Sequence, residues 1–235
     1  MYRLLPLEVL YKDEHYIAIN KPTGLLVHKS PIDKKETLFA LQQLRDQINQ
    51  YVYPIHRLDK PTSGVILFAL SSEAASKISK QFQEHTIIKE YIALVRGWVD
   101  ESGFIDYALS IKLDKIADKG KVAGEPQEAQ TQYELIKKFT LHVEVDKYPT
   151  SRYSLVKLLP KTGRKHQLRR HMKHISHHIV GDTKYGRGEH NKMFRANYSI
   201  NRLMLMATSL KFFHPYKNEE IEISVNLDEE FKNFF

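Results

Sequence analysis

The sequence predicts an α+β fold built on an antiparallel-rich sheet, and three observations carry the prediction. Extended stretches outnumber helical ones, and they do not alternate regularly with helices as a doubly wound α/β chain would require. Several also alternate apolar and polar residues, as strands with one solvated face do. With 235 residues the chain can bury a substantial core, either as one large domain or as two lobes sharing a sheet, and the second arrangement is favoured.

Residues 15–20 read as a strand ended by the Lys21-Pro22-Thr23-Gly24 turn, and Leu25-Leu26-Val27 begins the next extended piece. Over residues 37–50, Leu38, Leu41, Leu44 and Ile48 recur at three- and four-residue steps, which marks an amphipathic helix; Asp33 and Glu36 are positioned to form its capping box. The apolar run 65–70 reads as a core strand. A second helix is expected over 72–85, burying Ala74, Ala75, Ile78 and Phe82. Residues 87–95 read as a strand, 131–136 and 141–145 as a half-exposed antiparallel pair, and 154–159 as a further strand. The charged stretch 114–128, with Gly120, Gly124 and Pro126, reads as a mobile surface loop. A helix is expected over 165–177, then strands near 207–213 and 221–225 and a short helix after Asp228.

Composition narrows the function classes. Thirty-six Lys and Arg against 28 Asp and Glu leave +8, so a polyanionic partner is favoured over an acidic or neutral one. The absence of cysteine excludes disulfides, thiolate nucleophiles and cysteine-held metal. The N-terminus is interrupted too soon to be a signal peptide, and no stretch approaches the roughly 20 apolar residues of a membrane span. A cytoplasmic protein, monomeric and without membrane contact, is the expectation.

The run His56-Arg57-Leu58-Asp59-Lys60-Pro61-Thr62-Ser63-Gly64 concentrates the chemistry. It sets one carboxylate between two cations on a stiff turn leading into the core strand. Arg57 and Lys60 favour the ionised form of Asp59, which suits a nucleophile. The competing reading makes Asp59 a turn cap and nothing more. The five histidines 166, 171, 174, 177 and 178 raise a metal site as a rival, since His174 and His178 are one helical turn apart. No Asp or Glu lies between His166 and His178, however, so the zinc-hydrolase arrangement with its general base is missing and no metal is expected.

The run 56–64 resembles the H-R-L-D-x-x-T-S-G signature of RluA-type pseudouridine synthases. Lys89-Glu90-Tyr91 is similar to that family's K-x-Y strand, and Thr162-Gly163-Arg164-Lys165-His166-Gln167-Leu168-Arg169-Arg170-His171 to its T-G-R-x-H-Q-[IL]-R-x-H motif, in the family's order. Residues 20–28 and Gly181-Asp182-Thr183-Lys184-Tyr185-Gly186 complete a resemblance that covers nearly the whole chain. It implies a pseudouridine synthase fold, a long mixed and mostly antiparallel sheet in two lobes with flanking helices and a central active-site cleft. It further implies one catalytic domain over 1–235, without a separate N-terminal RNA-binding domain.

The resemblance also implies roles. Asp59 is the catalytic carboxylate, Tyr91 packs on the flipped uracil and helps remove the C5 proton, and Arg169 pairs with Asp59. Arg57 enters the space the flipped base leaves, while Arg164, Lys165 and Arg170 contact phosphates. Isomerising uridine changes no redox state and consumes no water, so no cofactor is expected. Asp59 can attack C1′ of the ribose, take the 2′ proton to form a glycal, or add to the base ring; residue types admit all three. Stretches such as Leu44-Arg45-Asp46-Gln47-Ile48, Leu113 to Lys119 and Tyr148 to Tyr153 are most similar to family members that act on uridine 65 of tRNA, which makes RNA, and tRNA in particular, the expected partner. A ribosomal-RNA substrate and a non-catalytic RNA-binding module are the alternatives. Residues 184–202 interleave Arg187, Lys192, Arg195 and Arg202 with Tyr185, Phe194 and Tyr198, and read either as a substrate-specific surface or as a segment packing its rings inward.

Overall fold

The computed structural model describes residues 5–29, 37–110 and 124–234. In chain order the elements are β1 (Glu8–Lys12), β2 (Tyr16–Lys21), α1 (Ala40–Ile48), β3 (Tyr53–Pro54), β4 (Ser63–Ala69), α2 (Ser72–Gln83), β5 (Ile88–Arg96), β6 (Ser102–Asp106), β7 (Gln130–Leu141), β8 (Ser151–Pro160), α3 (Gln167–His174), α4 (Gly188–Tyr198), β9 (Leu205–His214), β10 (Glu219–Ser224) and α5 (Glu229–Lys232). Strands with few flanking helices make this the α+β fold that the sequence predicts. The chain divides into two units. The first holds residues 5–29, 37–88 and Ala207–Val225; the second holds residues 89–110, Gly124–Met206 and 226–234.

In the first unit the strand order is β1-β2-β4-β9, with β3 on β4 and β10 on β9. β2 runs antiparallel to β4 from Tyr16↔Ala69 to Lys21↔Gly64. All seven residues of β4 are buried, which is why its sequence is apolar without alternation. The Ser71 hydroxyl accepts from the Ala74 N–H (3.1 Å) and caps α2, whose Ala74 and Ile78 pack on Tyr16, Val65, Leu67 and Phe212. Gly64 has φ +107°, and a Cβ there would lie 2.0 Å from the Ala207 carbonyl oxygen, so only glycine lets β9 approach so near.

The second unit is the antiparallel sheet β5-β8-β7-β6, with Tyr91↔Leu158, Tyr133↔Leu158 and Phe104↔Gln132 in register. Leu168 and Met172 of α3 pack on its Ala93, Val95, Val156 and Leu158.

Four expectations need correction. The strand pair expected at 131–136 and 141–145 is instead one strand, β7, paired with β8; a bulge between Leu135 and Lys137 shifts the register and carries the strand past the exposed Lys137 and Lys138, and the turn falls near Val145 and Tyr148. The helix expected over 165–177 is α3 alone, because His166 (φ 56°) and Ser176 (φ 65°) adopt left-handed backbone that bounds it on both sides. The segment 184–202, read without secondary structure, contains α4. The helix expected over 37–50 starts at Ala40, since Phe39 bridges to Leu26 in extended backbone; its expected capping pair, Asp33 and Glu36, lies outside the described residues, as does the stretch 114–123.

Candidate active site

The turn carrying Asp59 is built from two loops of the first unit. Lys21 is fully buried, and its Nζ donates to the carbonyls of Pro22 (2.9 Å), Leu25 (2.8 Å) and Lys60 (3.2 Å). Gly24 N–H donates to the Lys60 carbonyl (2.9 Å), the Thr23 hydroxyl to that of Pro61 (2.8 Å), and Thr62 N–H to that of Asp59 (3.0 Å). Lys21, Thr23 and Gly24 therefore clamp the backbone that immediately follows Asp59, which is itself half-buried. Leu58 anchors the turn from the core, and Arg57 next to it is exposed. His56 stacks on Phe82 (4.9 Å between ring centres) and its Nε2 accepts from Leu67 N–H (3.0 Å), which ties the turn to α2 and β4.

His28 sits in the same unit with a buried Nδ1 that has no hydrogen-bond partner. Burial and the nearby positive charge of Arg57 push this imidazole below its ordinary pKa, so it is neutral at pH 7. An unpaired buried ring nitrogen costs free energy unless a ligand satisfies it. Its sequence signal was weak, since a single histidine after an apolar run says nothing about its neighbours.

The remaining candidates belong to the second unit. Tyr91 lies half-buried on β5 against the core that also holds Leu168 and Met172 of α3. Lys89 shares its face by strand alternation, and burial lowers the pKa of its ammonium. Arg169 on α3 is 6% exposed and pairs with Asp182 through two bonds, Nε to Oδ2 at 2.7 Å and Nη2 to Oδ1 at 2.9 Å. Asp182 Oδ1 also accepts from the backbone N–H groups of Lys184 and Tyr185, both at 2.9 Å. Burial alone would raise the Asp182 pKa, but the guanidinium and the two N–H donors outweigh it and hold the carboxyl below its usual range. Tyr185 completes the cluster, with the Arg169 guanidinium 5.1 Å from its ring centre and its hydroxyl 3.0 Å from His166 Nδ1. Asp182 was quoted in the sequence pattern without a role; its fixing of Arg169 needed the tertiary structure.

The rest of the T-G-R-x-H-Q-L-R-x-H segment splits into scaffold and surface. Thr162 Oγ1 donates to Gln167 Oε1 (2.7 Å), and Gln167 Nε2 donates to the Gln130 carbonyl (2.9 Å) and to Thr131 Oγ1 (3.0 Å). His171 is fully buried between the Thr131 hydroxyl and the Tyr107 carbonyl, and burial holds it neutral. These residues lock α3 to β7. Lys165 is exposed and Arg170 half-buried, while Arg164 donates through Nε to the Glu128 carbonyl (2.9 Å), leaving all three near solvent. His177 Nδ1 lies 2.9 Å from the Arg96 carbonyl and His178 Nδ1 3.3 Å from that of Ser176. Among the described residues no three His, Asp or Glu side chains gather as metal ligands do. In 184–202, Tyr185 and Phe194 pack inward while Arg187, Lys192 and Arg195 stay exposed, and Arg202 pairs with Asp228. No described helix is long and apolar enough to cross a membrane.

Residues 15–174 match the family model of RNA pseudouridylate synthases. The chain is 53% identical over 230 residues to tRNA pseudouridine synthase C of Vibrio parahaemolyticus, covering 97% of this chain and 94% of that protein. To the protein of the same name from Haemophilus ducreyi it is 55% identical over 231 residues, covering 98% and 95%. Among solved structures, human RNA pseudouridylate synthase domain containing 1 superposes with a TM-score of 0.73 at 25% identity, over 94% of this chain and 83% of that one. The three motifs read from the sequence and the full-length likeness agree: the chain belongs to the RNA pseudouridylate synthase family, of RluA type, and is an isomerase.

Proposed function

We propose that this protein converts uridine to pseudouridine in tRNA, at uridine 65, as a cytoplasmic monomer whose residues 1–235 form one catalytic domain. Likeness to two tRNA pseudouridine synthases C over nearly their whole length is the observation that carries the substrate. The chemistry rests on Asp59. The C1′–N1 bond breaks, the base turns, a C1′–C5 bond forms, the C5 proton leaves to solvent and N1 takes up a proton. A carboxylate on a clamped turn can cover the electron-poor C1′, or take the 2′ proton, without itself moving. Flipping the uridine out of its stack costs about a few kcal/mol, which Tyr91 recovers by packing on the base and Arg57 by filling the gap. Arg169, aimed by Asp182, supplies the positive charge of the catalytic set, and Arg164, Lys165 and Arg170 hold phosphates.

The test uses tRNA tritiated at C5 of uridine. Wild-type protein should release tritium to water, with loss confined to one position in the T arm, and Asp59→Asn should release none while still binding tRNA. Release from ribosomal RNA alone would move the substrate, and no release from either RNA would leave a binding module.

A further inference from the structure

The second unit carries a groove that the isomerisation does not use. It is a cavity of about 1010 Å³ between the end of β5, the β7–β8 turn and the start of α4, lined among others by Arg96, Trp98, Tyr148, Arg152, Arg187 and His190. Tyr91 and Arg96 are five residues apart on one strand, so the groove lies about 17 Å from Tyr91. That span is about half a turn of duplex.

Its walls are prepared for a ligand. Trp98 and Tyr148 are 45% and 57% exposed, large rings that a folded chain ordinarily covers. The indole is held in place, since its Nε1 donates to the Phe139 carbonyl (3.1 Å) and the Arg152 guanidinium lies 4.4 Å from the ring centre. Arg96 is fixed through Nε, which donates to His190 Nε2 (2.9 Å), while His190 Nδ1 meets the Tyr153 hydroxyl at 2.6 Å. Burial and Arg96 push His190 down to about 4, so the imidazole is neutral and leaves the arginine's charge intact. Among the described residues Arg96, Arg152 and Arg187 have no ion-pair partner. Asp146 and Glu189 also line the groove, so three arginines face two carboxylates. Such a wall favours an anion set at defined points with a planar group beside it, and disfavours indiscriminate adsorption of polyanions.

Resting on the RNA-modifying reading above, we propose that this groove is a second RNA site, which takes a backbone phosphate between Arg152 and Arg187 and stacks an unpaired base on Trp98, remote from the target uridine. Arginine with exposed rings is the pairing that grips phosphate and base together. The site would measure the substrate: an RNA long enough to reach from Tyr91 to the groove binds at both ends, and a fragment cannot.

Trp98 is the only tryptophan in the chain, so its fluorescence reports the groove alone. With Asp59→Asn protein to prevent turnover, full-length tRNA should quench Trp98, and a stem-loop trimmed to within half a helical turn of the target uridine should not. Arg152→Glu with Arg187→Glu should weaken tRNA binding at least tenfold and flatten the slope of log K against log salt by about 1 to 2. Trp98→Ala should weaken it about 5- to 150-fold, the range that base stacking carries. Both variants should turn over the stem-loop at the parent rate, which also shows that they are folded. Unchanged Trp98 emission at saturating tRNA, unchanged affinity in both variants, or equal losses on tRNA and stem-loop would each overturn the proposal. Failure of the isomerase reading is separate: the unmodified protein would then release no tritium from either RNA, while quenching and affinity still report on the groove.

Discussion

Replacing Asp182 by asparagine isolates the buried pair that positions Arg169. The side chains of Arg169 and Asp182 are 6% and 1% exposed and joined by two short bonds, so the substitution takes from a buried guanidinium the counter-charge that those bonds supply. Removing one partner of such a pair costs about 3–5 kcal/mol. At this chain length each kcal/mol moves Tm by about 2–4 °C, so Asp182→Asn should melt roughly 6–20 °C below the parent. The double variant Arg169→Gln, Asp182→Asn removes both charges and keeps an acceptor for the Lys184 and Tyr185 N–H groups, and should regain about 0.5–3 kcal/mol over the sum of the single changes. Scanning calorimetry with urea titration reads both quantities. The pH dependence has a defined sign. The folded-state pKa of Asp182 lies below its unfolded value of about 3.9, so its contribution is complete above that value and lost as pH falls through the lower folded-state pKa. The gap between parent and Asp182→Asn should therefore close in acid. A variant that melts with the parent at pH 7, or a double variant less stable than additivity allows, would refute this account of the pair.

Three other perturbations separate position from stability. Lys21→Met removes the donor shared by the carbonyls of Pro22, Leu25 and Lys60, of which Lys60 keeps the Gly24 N–H, at about 1–3 kcal/mol for each of the other two; the loosened Asp59 turn should lower kcat by about a hundredfold while tRNA affinity in a filter-binding assay holds. Gly64→Ala forces a Cβ toward the Ala207 carbonyl at a positive φ, and should cost at least about 3 kcal/mol in urea unfolding; a smaller loss would mean that β4 and β9 can separate cheaply. Tyr91→Phe keeps the ring against the Leu168 core and removes only the hydroxyl, so tritium release should slow by about 10²–10⁴-fold at unchanged Tm. Parent rates would reduce Tyr91 to packing.

Much of the fold was legible because its signals are local. α2 announced itself through the spacing of Ala74, Ala75, Ile78 and Phe82, and β4 through an apolar run that a strand buried on both faces requires. What failed was non-local. The bulge in β7 depends on its partner β8, and α4 hid because its one buried stripe, Met193 and Phe194, is too short to set a period. His171, one of the histidines that raised a metal site, is a joint between Thr131 and Tyr107.

The amino-acid sequence by itself determined the α+β class, the family and the turn that carries Asp59, because strand alternation, helical spacing and the His56-to-Gly64 run are properties of neighbours along the chain. Tertiary structure alone decided that Lys21 clamps that turn from 39 residues away and that Arg169 is aimed by Asp182. It also set Trp98, Arg152 and Arg187 around one groove. The physical reason is the same in each case: a buried charge or a ring takes its meaning from what desolvates and pairs it, and those groups come from distant parts of the chain.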